Sequence, residues 1–309
     1  FTSGEVAYLL QSDQTKQIWG QNIDNGNEKQ TYPVFSDARV YKVLKCDGTL
    51  DSYSNTKNLP TVHSYDNGFC TNCNGFEPAQ LVDDYYQIGN AGQLYWFAQQ
   101  VNDGQTSING KLTANITVNA NVLAEDGTLN TGFFRYWTPI GNDIRNYAGT
   151  FDGNGKTISN LKITGNNNYV GLFGVTHDGE IKNLTINSGM RGIVMGSATE
   201  DLYIDNVVID GTTYTFNSDG GNKNYGVYIR NSTLNGWTSF SNMLKEITFT
   251  KCSFGEGCGY AFCRPYNATT FTGCTFDAGY EVEPVGNITL VDCYYNGTLI
   301  TEANIASFD

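Results

Sequence analysis

The stretch that decides the fold runs from Gly149 to Ile163, GTFDGNGKTISNLKI. It contains a Gly153-Asn154-Gly155 turn and then the hexad Ile158-Ser159-Asn160-Leu161-Lys162-Ile163, with the pattern apolar, polar, Asn, apolar, polar, apolar. The pattern returns at Ile181-Lys182-Asn183-Leu184-Thr185-Ile186 and at Ile204-Asp205-Asn206-Val207-Val208-Ile209. Weaker copies begin at Ile229, Phe249, Phe271 and Leu290. Aligned on the fourth position, the copies give Leu161, Leu184, Val207, Ser232, Cys252, Cys274 and Cys293, spaced by 19 to 25 residues. A period of 20–25 residues marks a solenoid, and strand-type patterning within it predicts the coils of a right-handed parallel β-helix. Asn at the third position suits a bend, where its amide can bond backbone or stack on the next Asn.

Outward from this core the chain changes character. Leu112–Val118 reads as a first rung. Just before it, Leu94, Phe97, Ala98 and Val101 fall on one helical face, with Asn90 placed to cap the start and Gly104 to end it. A helix there would close the open end of the solenoid, which otherwise exposes backbone edge and core. Further upstream, Val6–Leu10 and Arg39–Leu44 read as strands in a loop-rich segment with little core, the kind of unit that needs a staple. The expected division is a small β/loop segment at 1–85 and a capping helix plus β-helix at 86–309. At the far end, Thr301–Phe308 is expected to make one helical turn, with Ile305 and Phe308 covering the last coil.

The 309 residues carry a net charge of −13, which disfavours nucleic acid or an anionic membrane as partner. No apolar run is long enough for a transmembrane helix, so no membrane insertion is expected. The chain starts at Phe1 without Met or an apolar leader, which points to a processed precursor or a trimmed piece.

Asn168–Gly174, Gly179–Leu184 and Gly149–Gly155 together resemble the GLUG-motif repeat of bacterial surface proteins, over about Leu112 to Ile186. Ser3–Leu10, His63–Pro78 and Gly92–Ala98 are similar to segments of large secreted proteins of gut bacteria. The resemblance implies a secreted or cell-surface, adhesin-like protein with a carbohydrate-binding or protein-binding role. It implies no reaction and carries over no catalytic residue.

The strongest local chemistry is Cys46, His63, Cys70 and Cys73. Cys70-Thr71-Asn72-Cys73 is a Cys-x-x-Cys knuckle, and the four side chains form a Cys3His set suited to structural zinc, which adds directly to the folding energy of a core-poor segment. A disulfide or free thiols are the alternatives. Cys252, Cys274 and Cys293 share one register position and read as an inward ladder, while Cys258 and Cys263 are close enough to pair. Asn-x-Ser/Thr triplets at Asn115, Asn183, Asn231, Asn267, Asn287 and Asn296 arise largely from the repeat rather than from glycosylation.

The leading functional expectation is a non-enzymatic module that binds host or dietary glycans or a surface protein. Trp137, Tyr225, Tyr228, Trp237, Tyr294 and Tyr295 are candidates for a sugar-stacking strip, each also a candidate for the core. The alternative is a polysaccharide lyase or glycoside hydrolase, for which Asp201 and Asp205, with Asp210, Asp219 and Arg230 nearby, would supply acid–base groups. His177, in a Thr-His-Asp-Gly loop, reads as an exposed turn residue.

Overall fold

The computed structural model describes residues 1–309 except 12–18, 25, 58–61, 121–132, 163–170, 177, 188–190, 196–200, 211–213, 219–225, 241–244, 256–267, 281–286 and 309. The chain divides into two compact units, Phe1–Glu77 and Pro78–Asp309.

The second unit is a parallel β-solenoid of about six turns in an all-β chain. Its first coil starts earlier than the sequence suggested. Gln80–Val82 and Tyr85–Ile88 form an antiparallel hairpin, and Tyr85–Ile88 then pairs in parallel with Asn109–Leu112. Residues 80–85, expected in the N-terminal segment, therefore belong to the solenoid sheet.

From there each coil repeats a strand, a sharp bend and a second strand. The bends carry the expected signature. Asn183, Asn206, Asn231, Lys251, Gly273 and Asp292 occupy equivalent positions, and every one has a positive φ between 51° and 63°. Asn tolerates this left-handed conformation better than other non-glycine residues, which explains its recurrence. The Asn183 amide donates to Asp152 at 3.0 Å, Asn206 donates to Asn183 at 3.0 Å, and Asn231 donates to Asp205 at 2.9 Å. Asn183 and Asn231 thus serve the stack, and Asn267 lies outside the described residues.

One hexad is out of register. Ile158 pairs with Ile186 rather than with Ile181, and it is Phe151 that pairs with Ile181. The cause lies in Gly153-Asn154-Gly155. Asn154 and Gly155 both have positive φ, so this coil turns its bend with more residues than the single Asn used later. A Cβ on Gly153 would stand 2.5 Å from Leu184 Cα, so the bulge needs glycine to lie against the next coil. Asn160 is also left-handed, at φ 60°, and Leu161 is buried beside it. It turns the following corner, which is why the local sequence mimics the hexad.

Inside the solenoid, like side chains stack on like. Phe249 lies on Phe271 with centroids 4.9 Å apart, and Phe254 lies on Phe276 at 5.0 Å, both pairs nearly parallel. Cys252, Cys274 and Cys293 fill one inward row after Ser232, all buried. Their thiols donate to Ile229, Phe249 and Phe271 carbonyls one coil back. None of the six described cysteines forms a disulfide; Cys258 and Cys263 lie outside the described residues.

The expected helix is α2, Ala91–Asn102, capped by the Asn90 side chain accepting from the Gln93 N–H at 2.9 Å. Leu94, Phe97, Ala98 and Val101 are all buried. Phe97 packs edge-on against Phe151 and Tyr147 in the first coils. A Cβ on Gly110 would sit 3.0 Å from the Phe97 ring, so glycine there makes room for the helix. At the other end, Ile305–Ser307 forms a 3-10 turn and Phe308 packs on Tyr295 at 4.8 Å.

The first unit differs from expectation at its start. Glu5–Gln11 is a helix, α1, not a strand. Its sequence, EVAYLLQ, is dominated by good helix formers, and Ala7 and Gln11 are its buried residues, spaced by one helical turn. The Gln11 amide donates to the Val40 carbonyl. Tyr41–Leu44 forms a hairpin with Leu50–Ser54, and Tyr65–Asp66 one with Phe69–Cys70. Among the described residues the apolar cluster here comprises Ala7, Ile23 and Val40, flanked by Tyr8 and Tyr53.

Candidate metal centre

Cys46, His63, Cys70 and Cys73 come together in the first unit, drawn from two hairpins. Cys46 lies in the turn of the Tyr41–Ser54 hairpin, stabilised by Lys45 and Thr49 backbone pairing and by Asp47 accepting from Thr49. Cys70 ends a strand of the second hairpin, Cys73 follows in the turn, and His63 precedes its first strand. The ligand atoms all lie within 4.8 Å of one another. Cys46 Sγ is 3.3 Å from Cys70 Sγ, and His63 Nδ1 is 3.4 Å and 3.7 Å from Cys70 and Cys73 Sγ. A tetrahedral ion with metal–sulfur bonds of about 2.3 Å sets ligand atoms roughly 3.8 Å apart, inside this range. The four residues can therefore hold a metal ion, and this is the one such group among the described residues.

The surrounding bonds preshape the site. The Asn72 N–H points at Cys70 Sγ and the Gly75 N–H at Cys73 Sγ, at 3.4 and 3.2 Å. A Cβ at Gly75 would stand 3.1 Å from Cys73 Sγ and 3.4 Å from the His63 ring, so glycine is needed where the loop closes. His63 is held flat against Tyr65 at 5.5 Å. Desolvation opposes ionisation of Cys70, yet the Asn72 N–H and the bonds from His63, Cys46 and Cys73 outweigh it and bring the thiol down to about 5. Desolvation, then bonding and charge from Cys73 and Cys70, push Cys46 up to about 12. The thiols share one crowded, coupled set, and a bound cation would favour thiolates throughout.

The other candidates are spread over the solenoid. Asp201 accepts from the Gly226 N–H at 2.8 Å and from the Tyr203 hydroxyl at 3.4 Å. Asp205 accepts from Arg230 at 3.1 Å and from Asn231 at 2.9 Å. Partial desolvation would raise Asp205, but these two partners outweigh it and hold its carboxyl below the ordinary carboxylate range. That suits a fixed anion better than a proton donor. Asp219 and His177 lie outside the described residues.

The aromatic candidates do not form one strip. Trp137 is buried, edge-on to Tyr95, with its indole N–H directed at the Gly171 and Leu172 carbonyls. Trp237 pairs with Tyr214 in a separate three-stranded sheet. Tyr228 stacks on the exposed Tyr203 of the neighbouring rung at 5.1 Å and 15°. Tyr225 lies outside the described residues.

Sequence reasoning passed over Tyr203 and Glu180, although both stand one position before a hexad, as Tyr228 does. Parallel pairing aligns Asn109, Thr150, Glu180, Tyr203, Tyr228 and Thr248 in one outward column. Two positions on, the neighbouring column reads Lys111, Asp152, Lys182, Asp205, Arg230, with alternating charge. Rungs sit about 4.8 Å apart, so a slip of one coil would bring like charges together.

Fold and site define the class: an all-β solenoid protein with a separate Cys/His unit able to hold a metal ion. No family model, curated protein or solved structure matches this chain.

Proposed function

We propose that this chain is a non-enzymatic recognition module of an exported bacterial surface protein. In this reading a zinc ion staples the first unit and the solenoid face meets a host or dietary glycan or a surface protein. The observation that carries the binding role is the Tyr203–Tyr228 stack, an aromatic platform on an otherwise polar parallel sheet. Tyr203 is 50% exposed, while the Tyr228 hydroxyl donates to Glu246 at 2.7 Å and pins the pair. An exposed ring fixed in advance loses little freedom on contact with a ligand. The engagement of Asp201 and Asp205 in structural bonds supports recognition over glycan cleavage.

Zinc is favoured for the first unit because three sulfurs and one imidazole are its usual closed, structural set. In that role the ion is enclosed by Cys46, His63, Cys70 and Cys73, with no position left for chemistry. Two measurements test the proposal. Elemental analysis of the purified protein is expected to give one zinc per chain. Glycan-array binding without release of reducing ends is the expected pattern; reducing-end release would overturn the non-enzymatic reading.

A further inference from the structure

The solenoid face has a notch beside the aromatic stack, and we infer that it is a binding site for an uncharged, hydroxyl-rich pyranose unit. The inference rests on the recognition-module reading above and gives it a location and a ligand class. The cleft has a volume of about 280 Å³, near the lower end of small-ligand sites at roughly 300 Å³. Its origin is the outward column of the sheet. Tyr203 lines it from one rung, Glu180, Thr150 and Asn109 from the successive rungs before it, and Asp178 stands just ahead of Gly179.

The floor exists because the strands are entered through residues without bulk. Gly149 and Gly179 lie between the flanking side chains. A Cβ at Gly149 would meet the Ile108 carbonyl oxygen at 2.2 Å, so the position has to remain glycine. The depression is thus built into the backbone packing of neighbouring coils.

The lining selects the ligand. One face of Tyr203 is taken by Tyr228, and the ring, half exposed, lines the notch. An aromatic face packs against the C–H face of a sugar ring, while amides, hydroxyls and carboxylates around it exchange hydrogen bonds with sugar hydroxyls. Thr150, Asp178 and Glu180 supply those groups, while the Asn109 amide is held in place by the Thr150 N–H and the Asp84 carbonyl. Anionic sugars are disfavoured. Arg230, the cation lining the notch, is paired with Asp205, and Lys182 nearby is paired with Glu180. A uronate or sialate would meet the carboxylates of Asp178 and Glu180 with those nearby cations already engaged.

The test uses the full chain and isothermal titration. The probes are neutral oligosaccharides of dietary type (cello-, xylo- and manno-oligosaccharides), a galactose-terminated neutral N-glycan of host type, and oligogalacturonate. At least one neutral probe is expected to bind. Tyr203→Ala should then weaken it tenfold or more, and Tyr203→Phe, which keeps the ring, should stay within about threefold of the parent. Equal thermal melts for parent and variants separate a lost contact from lost folding. Neutral binding that survives Tyr203→Ala overturns the site while leaving the recognition reading intact, and preference for oligogalacturonate overturns the ligand class. Binding to no sugar on the array or by titration, with a protein ligand captured instead, overturns the sugar site alone.

Discussion

The two units of this chain solve the same problem in opposite ways. In Phe1–Glu77 the apolar cluster is Ala7, Ile23 and Val40, and much of the cohesion is polar. Asn55 alone accepts from the Ile23 N–H at 2.8 Å and donates to the Gln21 and Arg39 carbonyls at 2.9 and 2.8 Å. Small units bury too little apolar surface to offset chain entropy, so a cross-link is the expected remedy, and here two hairpins meet at four ligand atoms. In Pro78–Asp309 each coil is also too small to stand alone. It buries its inward face on the next coil, and Phe, Ile and Cys columns run through the stack. The contrast sets repetition, which thickens the core of the solenoid, beside the cross-link proposed for the first unit as answers to a thin core.

The comparison can be broken most sharply at the Cys/His cluster. On the proposed zinc-staple reading, a strong chelator, or Cys70→Ser, is expected to abolish amide-exchange protection across residues 1–77 and leave that of 78–309 intact. Structural metal sites contribute on the order of 10 kcal/mol, far above any single contact here. Unchanged exchange in the first unit would show that its polar network suffices without a staple.

Next in size is the core column. Phe271→Ala leaves a cavity between Phe249 and the neighbouring Phe254 and Phe276. It should cost about 3–5 kcal/mol in chemical denaturation of the solenoid, without loosening the first unit.

The two sets of cysteines should also differ in reactivity. Hydrogen bonding to Cys252, then burial, pushes the Cys274 thiol up to about 12. Hydrogen bonding to Cys274 and burial push Cys293 up further. Iodoacetamide at pH 8 should therefore spare both in the native chain and label both once unfolded. A raised folded-state value also fixes the sign of the pH dependence. The stabilisation is complete below the unfolded thiol's value of about 8.5 and is lost as pH rises from there towards 12. Labelling of Cys274 in native protein at pH 8 would contradict the packing described.

A smaller effect is expected at the bends. Asn206→Ala forces a Cβ-bearing residue without a helpful amide into the left-handed region at φ 54° and removes the bond to Asn183, a loss of about 1 kcal/mol. Asn206→Gly should lose less, and a larger loss for Gly than for Ala in denaturant midpoints would refute the conformational explanation.

Smallest is the charge column. Asp205→Asn removes a half-exposed ion pair with Arg230 and should cost less than about 1 kcal/mol. Because Asp205 is held below its ordinary value, its contribution is present above about pH 4 and fades as pH falls through the lower folded value. The variant should show a shallower acid limb than the parent.

The sequence by itself determined the solenoid class, the capping helix, the inward cysteine column and the membership of the Cys/His set. These are local or periodic signals: apolar spacing, an Asn at each bend, a capping Asn90 and a Cys-x-x-Cys knuckle. Tertiary structure decided the rest. Whether Val6–Leu10 is strand or helix turned on Ala7 and Gln11 facing one packing partner, which a five-residue apolar run cannot express. The register of the opening stretch turned on a glycine bulge fitting against Leu184, a contact with a residue one coil away. The notch beside Tyr203 and the alternating charge column exist only across rungs, between residues twenty or more positions apart. Parallel pairing turns such distances into neighbours about 4.8 Å apart, so side chains unrelated along the chain make up the surface that a ligand would meet.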